Sequence, residues 1–174
     1  MDLFSIIIET IDLRSFSNLW YWIALAVLWS TASHWVLGIP YDMVTRARRK
    51  QGQAAKDLQD AVRIQCNRIL FIHAVSGPLA TGFMFFLITS LLLLGFVYGM
   101  EFAQALSLMV VPMTGVGLIN LATARRLDQL EHDTDALCRR LALTRVYIQM
   151  LGGVSIFITG LVGMYQNLTI GALG

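Results

Sequence analysis

Residues 79–100 read LATGFMFFLITSLLLLGFVYGM, twenty-two positions without an Asp, Glu, Lys or Arg. A helix needs about 20 mostly apolar residues to cross a hydrocarbon core of about 30 Å. The apolar positions are continuous and do not alternate, which excludes the strand of a membrane barrel. Lipid offers no partner to exposed backbone groups, so such a run must be helical. Working outward, an apolar lead-in reaches back to Ile69, and three more uncharged runs follow the same rule: Leu19–Ile39, Phe102–Ala122 and Val146–Leu168. The expected fold is all-α: an integral-membrane four-helix bundle spanning residues 18–174, with cytoplasmic helical extensions and both termini outside.

Composition agrees. Only 14% of the 174 residues are charged while 56% are apolar, and the mean hydropathy is +0.64. A soluble domain carries about a quarter charged residues. Two cysteines make no disulfide scaffold, and these proportions exclude a disordered tail or a nucleic-acid module.

The charges are sided. Of thirteen basic residues, Arg46, Arg48, Arg49, Lys50, Lys56, Arg63 and Arg68 lie between the first two runs. Arg125, Arg126, Arg139, Arg140 and Arg145 lie between the last two, and only Arg14 falls elsewhere. The positive-inside rule makes those two segments cytoplasmic and the termini periplasmic in a bacterial inner membrane. Aromatic residues mark the borders: Trp20, Tyr21, Trp22, Tyr98, Phe102 and Tyr165 outside, Trp35, Tyr41 and Tyr147 inside.

The connecting segments have their own patterns. In residues 1–17, Leu3, Phe4, Ile7, Ile8 and Ile11 fall on one side of a helix. This is expected to be a short amphipathic helix on the outer surface, an anchor or a docking face for a partner. The run Arg46, Arg48, Arg49 and Lys50 is the expected contact for anionic headgroups. From Gln53 a helix is expected to run into the second span, kinked near Gly77–Pro78, with Leu58, Val62, Gln65 and Ile69 on one face. Leu127, Leu130, Leu137 and Leu141 form a stripe on a cytoplasmic hairpin, where Asp133-Thr-Asp135 ends one helix and caps the next. That hairpin should pack on the extension of span two, with Lys56 and Arg63 meeting its acidic residues.

Helices in lipid associate through small residues. Gly152, Ser155, Thr159 and Gly163 form one such row, and Gly95 and Gly99 a second; these are the expected packing or partner faces. His34 and His73 sit at similar depth in the inner third of their spans. Two imidazoles on neighbouring helices would suit a b-type haem, whereas neutral histidines otherwise hydrogen-bond between helices. Cys66 and Cys138 fall on the reducing side and match no zinc or iron–sulfur spacing. The chain contains no triad, phosphate loop or carboxylate pair, so neither catalytic nor metal-binding residues are assigned.

The stretches Ile11-Asp-Leu-Arg-Ser-Phe-Ser-Asn-Leu-Trp-Tyr-Trp and Gly95-Phe-Val-Tyr-Gly-Met-Glu-Phe-Ala-Gln-Ala resemble a proteobacterial family of small integral membrane proteins carrying the label "component of SufBCD complex". The resemblance covers most of the chain and implies a bacterial origin and a link to iron–sulfur cluster assembly. Read from the residues, the expected function is a non-catalytic accessory or assembly subunit of a larger inner-membrane complex, joined to other membrane subunits by helix contacts. Two alternatives stay open: a haem-b electron-transfer subunit using His34 and His73, and a small homo-oligomeric channel or transporter.

Overall fold

The structure, a computed structural model, describes Phe16 and residues 19–127 and 133–171. The proposed outer-surface helix of residues 1–17 lies outside the described residues except for Phe16, as do Asp128, Leu130, Glu131 and His132. The described chain runs α1 (Leu19–His34), a two-stranded antiparallel hairpin of β1 (Trp35–Val36) and β2 (Ile39–Pro40), α2 (Tyr41–Lys50), α3 (Gln53–Leu92), a π-helical turn (Leu93–Val97), α4 (Glu101–Leu127) and α5 (Thr134–Gly171). It is therefore all-α apart from that hairpin.

Three helical stretches are long and apolar enough to cross a membrane: Gln53–Val97, Glu101–Leu127 and Thr134–Leu168. The first expected span differs from the sequence reading. Its helix stops at His34 rather than reaching Ile39, and 16 residues extend only about 24 Å at 1.5 Å per residue. The cause is local. Leu37 and Gly38 take φ of 56° and 77°, which reverses the chain, and Pro40 has no N–H with which to continue a helix. Val36, Leu37 and Ile39 drop instead into the core at the inner end of the molecule.

That inner core is the larger of two. Val44 and Ala47 of α2, Leu58, Val62 and Cys66 of α3, Leu127 of α4 and Leu137, Cys138 and Leu141 of α5 close around the hairpin. The two helical extensions beyond the apolar runs thus pack on each other, as their apolar stripes require. Polar residues lock the register: Gln59 Nε2 donates to Thr134 Oγ1 at 2.8 Å, and the Thr123 and Thr144 hydroxyls are 3.0 Å apart. Arg63 makes no ion pair with the described residues of the hairpin. It pairs with Asp60 one turn back on its own exposed face, at 3.2 Å. Asp133 caps α5, its Oδ1 accepting from the N–H groups of Asp135 and Ala136.

The second core lies between the apolar halves. Leu25 and Trp29 of α1 pack with Val116 of α4 and Ile148 of α5. α3 continues through Pro78 as a single helix and leans chiefly on α4. At the outer end Gly99 adopts φ 71° and turns the chain into α4. Just before it the π-helical turn opens, where Tyr98 N donates to Leu93 O and Met100 N to Leu94 O. No sequence signal announced this turn.

Candidate functional site

The small residues of α5 are largely consumed within the chain. A Cβ added at Gly152 would lie 2.7 Å from Trp29 Cε3, and one at Gly163 would meet Phe16 and Trp22 at 3.3 and 3.4 Å. Ser155 Oγ donates to Leu108 O at 3.5 Å, and the fully buried Thr159 donates to Ser155 O at 2.8 Å. The row brings α1 onto α5. Gly95 is equally tight, since a Cβ there would lie 2.8 Å from Gln104 N. Gly99 meets nothing within 4 Å and makes the turn instead.

A polar cluster at the outer end escaped the sequence reading. Gln104 is 6% exposed; its Nε2 donates to Gly95 O at 2.7 Å, and its Oε1 accepts from Gln166 Nε2 at 2.5 Å. With Phe96, Leu161, Val162 and Tyr165 these two side chains line an open groove of about 310 Å³. The available signal was chemical. Carboxamides are costly inside an apolar run, and each needs a partner on another element. Nearby, Glu101 Oε1 accepts the Phe16 N–H at 2.8 Å, and Tyr21 OH donates to Ala105 O at 3.3 Å, so α4 holds both ends of the entry to α1.

The two histidines are both exposed on the chain. His34 lies edge-on to Trp35, with ring centroids 6.0 Å apart. His73 covers Gly77 on its own helix, where an added Cβ would meet the ring at 3.2 Å. No hydrogen bond or ring contact joins one histidine to the other. No group of three His, Cys, Asp or Glu side chains suited to a metal occurs among the described residues. The side chains of Cys66 and Cys138 are both buried in the inner core. Burial pushes the Cys138 thiol up from its ordinary range; Asp135 adds to this and Arg48 opposes it.

The exposed face of α2 is basic. Arg46, Arg48, Arg49 and Lys50 are all exposed on α2, opposite the buried Val44 and Ala47. The sequence did not pair Arg145 with Tyr41, yet the Arg145 Cζ sits 4.0 Å above the centre of the Tyr41 ring. Pairs of this kind depend on tertiary packing and leave no spacing to find.

The second half of α3 presents an apolar surface. Between residues 71 and 90 of α3 only Gly77 is buried, and Phe83, Phe85 and Phe86 are 61%, 68% and 70% exposed. An apolar surface of this extent belongs in lipid or against other membrane helices. No family model, curated protein or solved structure matches the chain.

Proposed function

We propose that this chain is a non-catalytic accessory or assembly subunit of a larger bacterial inner-membrane complex, acting through helix–helix contacts. The observation behind this reading is the membrane half of α3. It rests on α4 along one side and leaves Ser76, Ala80, Thr81 and Gly82 exposed, with nothing within 4 Å of a Cβ placed on Gly82. Small side chains allow a second backbone to come close, which is how helices associate in lipid. The other small-residue row, on α5, is already filled by Trp29, Phe16 and Trp22.

In this reading α1 and the hairpin complete a fourth crossing, and both termini face the periplasm. Twelve basic residues against seven acidic ones in the two inner segments support that sidedness. Thiol labelling of single cysteines in intact cells tests it, with a site near Gly99 labelled from outside and one near Gly52 protected.

Native mass measurement from mild detergent tests the function. The expected result is a stoichiometric assembly heavier than one chain, lost in a Gly82→Trp variant that still folds. A lone wild-type monomer overturns the reading.

A further inference from the structure

At the inner membrane border Arg145, like the other described basic residues except Arg63, carries a charge that no described carboxylate answers. Arg145 is the last basic residue before the apolar run beginning at Val146. Its guanidinium stacks on Tyr41, the first residue of α2, at 4.0 Å from the ring centre. Its Nε is enclosed by the protein and has no hydrogen-bond partner. Among the described residues the only ion pair is Arg63 with Asp60. Asp42, beside Tyr41, is exposed and makes no ion pair with Arg145.

The chemistry of such a site is restricted. An aromatic face neutralises one side of a guanidinium but leaves its in-plane N–H groups to be satisfied. The enclosed Nε is out of a ligand's reach, but the two terminal Nη groups are not enclosed and present a fork of paired donors that matches the paired oxygens of a phosphate. The position at the end of an apolar run is the depth of lipid headgroups. Arg46, Arg48, Arg49 and Lys50 line the exposed side of the same helix that supplies Tyr41, so the field around the fork is positive. Arg140, on the same helix as Arg145, also has an enclosed Nε without a partner.

We propose that Arg145, braced on Tyr41, is the seat for the phosphate of an anionic phospholipid, with the basic row of α2 as its electrostatic surround. The proposal rests on reading this end of the bundle as a membrane border. It goes beyond a diffuse attraction of basic residues to headgroups, because it places a defined site at a residue outside the basic run.

The test is a lipid titration of the full-length protein in neutral detergent micelles, read as thermal stability. Phosphatidylglycerol should raise Tm and phosphatidylcholine should not. Arg145→Gln should weaken the apparent affinity for phosphatidylglycerol by at least about tenfold, the loss of one charge-assisted hydrogen bond. Arg145→Lys, which keeps the charge but not the fork, should also weaken it; this variant and Tyr41→Leu decide the matter if Arg145→Gln fails to fold. Undiminished affinity in the folded variants overturns the proposal, as does an equal response to phosphatidylcholine. An equal rise with millimolar inorganic phosphate alone assigns the site to a free anion and overturns the lipid. Micelles have no sides, so failure here is separate from failure of the topology, which cysteine labelling reads, and of the subunit role, which native mass reads.

Discussion

Gly152 faces the indole of Trp29 so closely that a Cβ would fall 2.7 Å from Cε3. The contact joins α1 to α5 and sits in the membrane-level core with Leu25, Val116 and Ile148. Trp29 is 5% exposed and has little room to retreat. Overpacking of this kind costs about 1–3 kcal/mol. Gly152→Ala should therefore lower thermal stability in detergent, whereas Gly153→Ala should leave it unchanged, since nothing lies within 4 Å of Gly153. Equal Tm values for the two variants would remove this contact from the account of why α1 stays docked.

The Gln104–Gln166 pair makes a second, independent prediction. Gln104→Leu leaves Gly95 O without its side-chain donor and Gln166 Nε2 without its Gln104 acceptor. Coupling between such side chains in membrane bundles averages about 0.6 kcal/mol and reaches about 1.7. A double-mutant cycle with Gln166→Leu, read by unfolding in detergent, should give a coupling in the upper part of that range because Gln104 is buried. Additive losses would mean that the two amides act separately.

These two sites show what could be read along the chain and what could not. The long apolar runs and the start of a helix at Gln53 follow from local composition, because membrane crossing and backbone freedom are properties of short segments. The stripe of Leu58 and Val62 facing Leu127, Leu137 and Leu141 was equally legible, since helical periodicity fixes the face each presents. The hairpin at Trp35–Pro40 was not. Hydropathy alone treats Val36, Leu37 and Ile39 as more helix, whereas Leu37 takes a positive φ and all three side chains are buried in the core. The Arg145–Tyr41 stack and the Gln104 cluster join residues 104 and 62 positions apart, where no periodicity operates.

The connection between α4 and α5 carries a testable cap. Asp133 Oδ1 accepts from Asp135 N at 3.0 Å and from Ala136 N at 3.2 Å, satisfying two donors of the first turn of α5. Asp133→Ala should cost about 1 kcal/mol. Asp133→Asn should recover most of it, because the amide oxygen still accepts. Hydrogen exchange should show the loss concentrated at Ala136–Arg139, with α4 and the outer end of α5 unaffected. Faster exchange spread along the whole of α5 would argue against a local cap.

The buried thiol of Cys138 gives stability a pH dependence whose sign is fixed. Burial, the largest cause, and then Asp135 hold its folded pKa above the ordinary 9.0, with Arg48 pulling the other way. In the interval between the unfolded and folded values the folded chain keeps a proton that the unfolded chain has released. The contribution is complete below the unfolded pKa and is lost as pH rises through the folded one. Wild type should therefore lose stability above pH 9 more steeply than Cys138→Ala, with no difference in slope between pH 6 and 8. Asp135→Asn should lower the thiol's pKa. In a Cys66→Ala background that change should speed alkylation of Cys138 at a given alkaline pH. A slope difference already present at neutral pH, or alkylation unmoved by Asp135→Asn, would show that the thiol is not held as the packing around it requires.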